Sequence, residues 1–187
     1  MKPKNHISIY NIAFVGVMAA IVYVLTMFRF PLLGSKVHFA NAMCLLAGLL
    51  FGPLGGGLAA GIGSALYDLL VGGYGVVEAL ITLVMKFFMA FICAKVAGAD
   101  GQTVKHGRIV AGCVTGALSY VALYMLKTFI FQRFVYGYPG DVVWVAMLSK
   151  LPASLINAVF AMIVAPLLYE AVRPALAKTG MLAKLQF

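Results

Sequence analysis

Long apolar runs separated by short polar segments dominate this sequence of 187 residues. A helix needs roughly 20 apolar residues to cross a hydrocarbon core of about 30 Å, and the chain supplies such runs repeatedly. Hydrophobic residues make up 64% of the chain and charged residues only 10%, which is too few polar side chains for a water-exposed surface. We therefore expect an all-α integral membrane protein, a bundle of helices in lipid.

Polar and glycine-rich breaks divide the runs into six predicted spans, which form a single transmembrane domain over residues 1–187. The predicted spans are residues 7–28, 39–51, 53–71, 76–96, 109–132 and 142–172. The second is short for a full crossing and meets the third across the tight turn GPLGG, whereas residues 29–38 are expected to form a loop. The basic start MKPKNHISIY leads into a long apolar run without a convincing cleavage site, so we interpret it as the first span and not as a signal peptide.

The Lys and Arg residues between the spans predict the orientation. One side carries eight of them and the other side three. The first group is Lys2, Lys4, Lys95, Lys105, Arg108, Arg173, Lys178 and Lys184, and the second is Arg29, Lys36 and Arg133. Both termini are therefore expected in the cytoplasm, with the loops 29–38, 72–75 and 133–141 outside.

Three further lysines lie inside apolar runs, where a cation costs at least about 2.5 kcal/mol and usually faces a cavity or a partner. Each belongs to a polar stripe along one helix face. The stripes are Glu78, Thr82 and Lys86; Tyr120, Tyr124 and Lys127; and Lys150, Ser154 and Asn157. Polar stripes also serve as contacts between helices, but three at similar depth, with both charges among them, favour the wall of a shared pocket that opens outward.

Residues 52–75, GPLGGGLAAGIGSALYDLLVGGYG, hold nine of the 20 glycines. Gly57, Gly61 and Ala65 recur every four residues, a spacing that lets helices approach closely in lipid. Asp68 follows near the outer end of the same span, where Lys86 or Lys127 is available to neutralise it. Tyr74, in the outer turn, is suited to stack on a flat ligand.

No signature of an enzyme is present. The sequence has no HExxH, GxxxxGK or GxGxxG motif, and no histidine lies in spans three to six to activate Ser64. The three cysteines lie in apolar runs without a CxxC pair, which favours core packing over a metal site or disulfides. We therefore expect a protein that is not an enzyme, binds no metal or cofactor, and hydrolyses no ATP itself.

The run HFANAMCLLAGLLFGPLGGGLAAGIGSALYDLLVGGY, followed by TLVMKFFMAFICAKVAG and PASLINAVFAMIVAPLLYEAV, resembles the substrate-specificity (S) components of energy-coupling factor (ECF) transporters of the vitamin type. The resemblance covers nearly the whole chain. It implies a subunit in a prokaryotic plasma membrane that captures a vitamin or precursor from outside with high affinity. It also implies a transmembrane coupling subunit and two ABC-type ATPases as partners.

The resemblance further implies two sets of functional residues. The first span docks the coupling subunit in this family, here through Ala13, Gly16, Val17 and Ala20. The implied substrate-binding residues are Asn157, Lys86, Glu78, Thr82, Tyr124, Lys127, Lys150, Tyr74, His38 and Asn41. Asn157 is the strongest of these, because an amide offers both a donor and an acceptor, whereas His38 and Asn41 are equally suited to capping or an interface.

The lysines beside Glu78, together with several aromatic residues, suit a heteroaromatic ring that bears hydroxyl, amine or phosphate groups. We expect a pyridoxine-like or pyrimidine-like ligand first and riboflavin next. Two other hypotheses remain open from sequence. One is a self-sufficient proton-coupled carrier with Glu78 or Asp68 as the proton site, and the other is a structural membrane protein without a ligand.

Overall fold

The computed structural model describes residues 9–32, 35–99 and 104–181. Its elements are α1 (Ile9–Met27), β1 (Arg29–Leu32), β2 (Ser35–His38), α2 (Ala40–Leu70), α3 (Gly75–Ala97), α4 (His106–Ile130), a π-helical segment (Phe131–Val135) and α5 (Gly140–Lys178). Five helices in this part of the chain are long and apolar enough to cross a membrane. The predicted all-α membrane class is therefore confirmed. Lys2, Lys4 and Lys184, and the start of the first predicted span, lie outside the described residues.

Helix α2 is broken at Gly52, where the sequence predicted a turn between two spans. Gly52 has φ 71° and ψ −174°, outside the helical region and favourable for glycine, and Pro53 follows it. A side chain added to Gly56 would collide with the backbone of Gly48, although these residues would lie about 12 Å apart in a straight helix. The two arms, residues 40–51 and residues 53–70, therefore fold back on each other.

Glycines of the second arm bring neighbouring helices into close contact. A Cβ at Gly61 would lie 2.8 Å from the Leu83 carbonyl oxygen of α3, and a Cβ at Gly57 would lie 2.7 Å from the Phe87 ring. Gly63 on another face approaches Ala19 of α1 in the same way. The glycine-rich segment is thus a narrow helix that three neighbouring helical segments approach closely, as its spacing predicted.

The segment predicted as a loop after α1 contains an antiparallel β-hairpin instead. Arg29 is opposite His38, and Phe30 is opposite Val37; residues 33–34, which connect the strands, lie outside the described part. An isolated hairpin of this size is marginally stable in water. Contacts between β2 and α5 support it here, and such long-range contacts leave no local sequence pattern.

Candidate ligand-binding cavity

A cavity of about 590 Å³ opens at one end of the helical bundle, beside the hairpin. Its walls come from the first half of α3, the second half of α4, the first half of α5 and the end of α2. The lining residues are Thr26, Arg29, Lys36, His38, Ser64, Tyr67, Asp68, Gly73, Tyr74, Glu78, Thr82, Met85, Lys86, Tyr120, Tyr124, Lys127, Tyr136, Lys150, Ser154 and Asn157. The three polar stripes therefore meet around one cavity, and the three segments predicted to lie outside are at its mouth.

Nine of the ten residues predicted to bind substrate line this cavity, and the tenth, Asn41, lies behind one of them. Sequence reasoning passed over Thr26, Tyr67, Met85 and Tyr136 as site residues. Tyr67 lies three residues after Ser64 and therefore shares a face of the second arm with it, so the helical period offered a signal for it. Thr26 carried no such signal. In the structure its hydroxyl donates to Val22 O within its own helix, at 2.7 Å.

Lys86 forms part of the cavity wall at the middle of α3 and is only 3% exposed. Its ammonium donates a hydrogen bond to Asn41 Oδ1 of the first arm. The same ammonium lies 3.9 Å from the centre of the Tyr120 ring, which is a cation–π distance. A charge at this depth is therefore stabilised by an amide and an aromatic face, and it remains at the cavity surface.

The carboxylates of the cavity have separate partners. Lys127 Nζ donates to Glu78 Oε2 at 2.6 Å, which joins α4 to α3. Asp68 accepts a hydrogen bond from Thr82 and interacts electrostatically with Lys86 and Arg29. Of the two lysines that the sequence offered for Asp68, Lys86 is the one that interacts with it, and Lys127 belongs to Glu78.

Asn157 binds the hairpin through both ends of its amide. Its Oδ1 accepts from the His38 backbone N–H at 2.8 Å, and its Nδ2 donates to the Lys36 carbonyl at 2.7 Å. The side chain thus replaces a neighbouring strand along the free edge of β2. One N–H and one oxygen lone pair of the amide are left over for a ligand, so the binding role expected from sequence stays a prediction beside the observed contact with the hairpin.

Tyr74 connects the hairpin to the turn between α2 and α3. Its hydroxyl accepts hydrogen bonds from Arg29 Nη1, at 3.0 Å, and from Lys36 Nζ. The Arg29 guanidinium carbon also lies 4.8 Å from the centre of the Tyr67 ring. Two cations and the phenol rings of Tyr67 and Tyr74 therefore lie together at this side of the cavity mouth.

His38 lies in β2 at the edge of the cavity. Burial, followed by the positive charges of Lys86 and Arg29, lowers the pKa of His38 to about 3. The ring is therefore neutral near pH 7. Its buried Nδ1 has no hydrogen-bond partner among the described residues.

The neutral, buried state of His38 can be tested through the pH dependence of the protein's stability. In the unfolded chain His38 takes up a proton below about pH 6.5, whereas in the folded chain it stays neutral down to about pH 3. Its stabilising contribution is therefore complete above pH 6.5 and is lost as the pH falls towards 3. From pH 7.5 to 5.5 we expect a loss of about 1.4 kcal/mol, or about 4 °C in melting temperature. The same measurement on His38→Gln should show a smaller loss, and an equal loss in both proteins would contradict the assignment.

The residues predicted to dock the coupling subunit lie on an exposed face of α1. Ala13, Gly16, Val17 and Ala20 are all exposed, and a Cβ at Gly16 would meet no atom within 4 Å. Val17 and Ala20 also line an apolar groove with Ile21, Val24 and Leu25. These four residues therefore form one continuous surface.

Several long apolar helices around one polar cavity define a membrane-embedded binding protein. A solved structure described as the S component of a bacterial ECF transporter has the same fold, with a TM-score of 0.68 at 19% identity, covering 89% of this chain and 96% of that one. A protein of Pyrococcus woesei, described as an uncharacterized protein in gap 3′ region, is 38% identical over 117 residues, which are 62% of this chain and 72% of that protein.

The family model of the ECF-type riboflavin transporter S component matches residues 6–174. The chain belongs to this family. The protein is therefore the substrate-binding S component of an ECF transporter, a subunit for binding and transport and not an enzyme.

Proposed function

We propose that this protein captures riboflavin in the cavity and delivers it to an ATP-driven coupling module. The cavity carries this proposal, because its volume of about 590 Å³ lies within the range of small-molecule sites. Tyr67, Tyr120, Tyr124 and Tyr136 supply flat aromatic surface for the rings of a flavin, while the buried Lys86 and His38 supply polar contacts to ring atoms.

Family membership and cavity size both support placing riboflavin ahead of the ligands expected from sequence. A single pyridine or pyrimidine ring would leave much of the cavity unfilled and would lose contacts along its walls. A three-ring system with a polyol chain uses more of both the aromatic and the polar surface. Riboflavin therefore moves ahead of the pyridoxine-like and pyrimidine-like ligands.

The direct test is ligand binding by the purified, ligand-free protein. We expect riboflavin to lose fluorescence on binding and to raise the melting temperature, whereas pyridoxine and hydroxymethylpyrimidine have no effect at the same concentration. A thermal shift with one of these single-ring compounds and none with riboflavin would overturn the choice of ligand. Uptake by the chain alone in liposomes with a pH gradient would favour the proton-coupled carrier.

We also propose that the two arms of α2 are separate spans, so that the chain crosses the plasma membrane six times with both termini in the cytoplasm. Residues from both ends of α2 lie near the cavity, since His38 precedes the first arm and Asp68 ends the second. Lys95, Lys105, Arg108, Arg173 and Lys178 belong to the opposite end of the bundle. A cytoplasmic position for these cations and an outward cavity agree with the positive-inside rule.

The exposed face of α1 is the proposed docking surface for the transmembrane coupling subunit, which associates with two ABC-type ATPases. We expect Val17→Trp to prevent assembly of the complex, because the large ring fills the groove in which a partner helix must pack. Val159→Trp on α5 is a matched control, since Val159 is 54% exposed and Val17 is 59% exposed. Copurification of the coupling subunit measures the effect, and equal recovery with both variants would reject this surface.

A further inference from the structure

Two cations at the mouth of the cavity share one neutral oxygen. Arg29 and Lys36 both donate to the Tyr74 hydroxyl, and both approach the face of its ring, at 5.8 and 4.8 Å from the centre. Two like charges held this close repel each other, and the effect grows near a low-dielectric interior. An anion between them would remove that repulsion.

The described carboxylates offset this pair only through the longer-range interaction of Asp68 with Arg29. Of the two that line the cavity, Glu78 is bonded to Lys127, and Asp68 is hydrogen-bonded by Thr82. No described carboxylate lies within salt-bridge distance of Arg29 or Lys36. Among the described residues, five cations and two carboxylates line the cavity, an excess of three positive charges. The cations are Arg29, Lys36, Lys86, Lys127 and Lys150, and the carboxylates are Asp68 and Glu78.

We propose that Arg29, Lys36 and Tyr74 form an anion subsite that binds the phosphate of a phosphorylated ligand. The inference rests on the proposed function, and the probe it selects is riboflavin 5′-phosphate. The planar guanidinium of Arg29 presents paired N–H donors that match two phosphate oxygens, and Lys36 adds a point charge. Once an anion takes over these donors, the Tyr74 hydroxyl is free to donate a third hydrogen bond.

The positive charges around the hairpin support an anion subsite at the mouth of the cavity. Burial, and after it the positive charges of Lys86 and Arg29, lowers the pKa of His38, and the contribution of these two charges indicates a positive potential at this side of the cavity. The subsite lies at the mouth, while Lys86, which is only 3% exposed, lies deeper. A flavin with its rings inward would thus direct the 5′ end of its ribityl chain towards the hairpin.

The test compares the dissociation constants of riboflavin and riboflavin 5′-phosphate, measured by fluorescence quenching in detergent at low and high salt. Charge-assisted hydrogen bonds to a phosphate predict about tenfold or tighter binding of the phosphate ester at low salt, with the preference reduced at high salt. Arg29→Gln and Lys36→Gln should each remove most of this preference, which is measured as the ratio of the two dissociation constants in each variant. Lys95→Gln is the control, because Lys95 is exposed at the far end of α3.

Each outcome decides separately about the subsite and the proposed function. Riboflavin binding without any preference for the phosphate ester, or a preference unchanged in both variants, overturns the subsite and leaves the proposed function intact. If neither flavin binds, the proposed function fails, and the subsite is judged by inorganic phosphate alone. A thermal shift with phosphate that both Gln substitutions abolish then supports the subsite, and the absence of a shift overturns it. A further experiment adds vesicles that contain a phosphatidylglycerol lipid. If these vesicles compete with riboflavin 5′-phosphate and inorganic phosphate does not, the site binds lipid and the proposal is rejected.

Discussion

Asn157→Ala is expected to weaken riboflavin binding by about 100-fold, mainly through faster dissociation. The substitution removes both hydrogen bonds that hold β2 against α5, those to the His38 N–H and the Lys36 carbonyl. Each backbone group left without a partner costs about 1–3 kcal/mol. The hairpin would then detach from α5 more often, and the cavity would open on the side where Arg29, Lys36 and His38 line it.

Ser154→Ala provides the matched control for this prediction. Ser154 lies one turn earlier on the same face of α5 and also lines the cavity, but its hydroxyl donates to the Lys150 carbonyl of its own helix at 3.0 Å. We expect its removal to change affinity by less than about fivefold, since no contact to the hairpin is lost. Dissociation rates from stopped-flow fluorescence distinguish the two variants. Unchanged dissociation in Asn157→Ala would show that the hairpin closes the cavity without this amide.

Asn157→Asp separates the two roles of the amide. The carboxylate keeps an acceptor for the His38 N–H but loses the donor to Lys36 O, and it faces that carbonyl with a negative charge. A direct contact between the amide and the ligand would make the loss of affinity differ between flavins, whereas a role in holding the hairpin predicts the same loss for every ligand. Proteolysis or hydrogen exchange of the hairpin reports the second role without any ligand.

The helical part of the fold was predictable because the membrane imposes one length and one composition on each span. The turn at Gly52 was predictable as well, since GPLGG combines a residue that favours positive φ with one that cannot donate a hydrogen bond. The hairpin was not, because its strands have four residues each. Its position depends on contacts with α5 more than 100 positions later, and the sequence carries no local record of them.

The cavity was predictable to the extent that helix faces are. Stripes such as Glu78, Thr82 and Lys86 follow from the helical period alone. The partners within the cavity were not predictable, because pairing of Lys127 with Glu78 depends on how α3 and α4 are rotated against each other. The hydrogen bonds of Asn157 are made to backbone atoms, which every residue possesses. The side chains at positions 36 and 38 therefore give no sign of these bonds in the sequence.

The second large effect is expected at Lys86, where binding should weaken strongly while stability changes little. In Lys86→Met a side chain of similar length without a charge replaces a lysine that is 3% exposed at the middle of α3. Removing a cation from that depth recovers at least about 2.5 kcal/mol, and leaving Asn41 Oδ1 without its donor costs about 1–3 kcal/mol. The melting temperature of the ligand-free protein should therefore change little.

Riboflavin affinity, in contrast, should fall by about 100-fold in Lys86→Met. A hydrogen bond from a charged group in a site shielded from water contributes about 1.5–3 kcal/mol, and a thioether cannot donate one. Lys127→Met should instead lower stability more than it lowers affinity, because it leaves the half-buried Glu78 carboxylate without its partner. Adding Glu78→Gln should restore part of that stability. If Lys86→Met instead melts far below the wild type and still binds riboflavin normally, Lys86 supports the bundle through Asn41 and Tyr120 and does not contact the ligand.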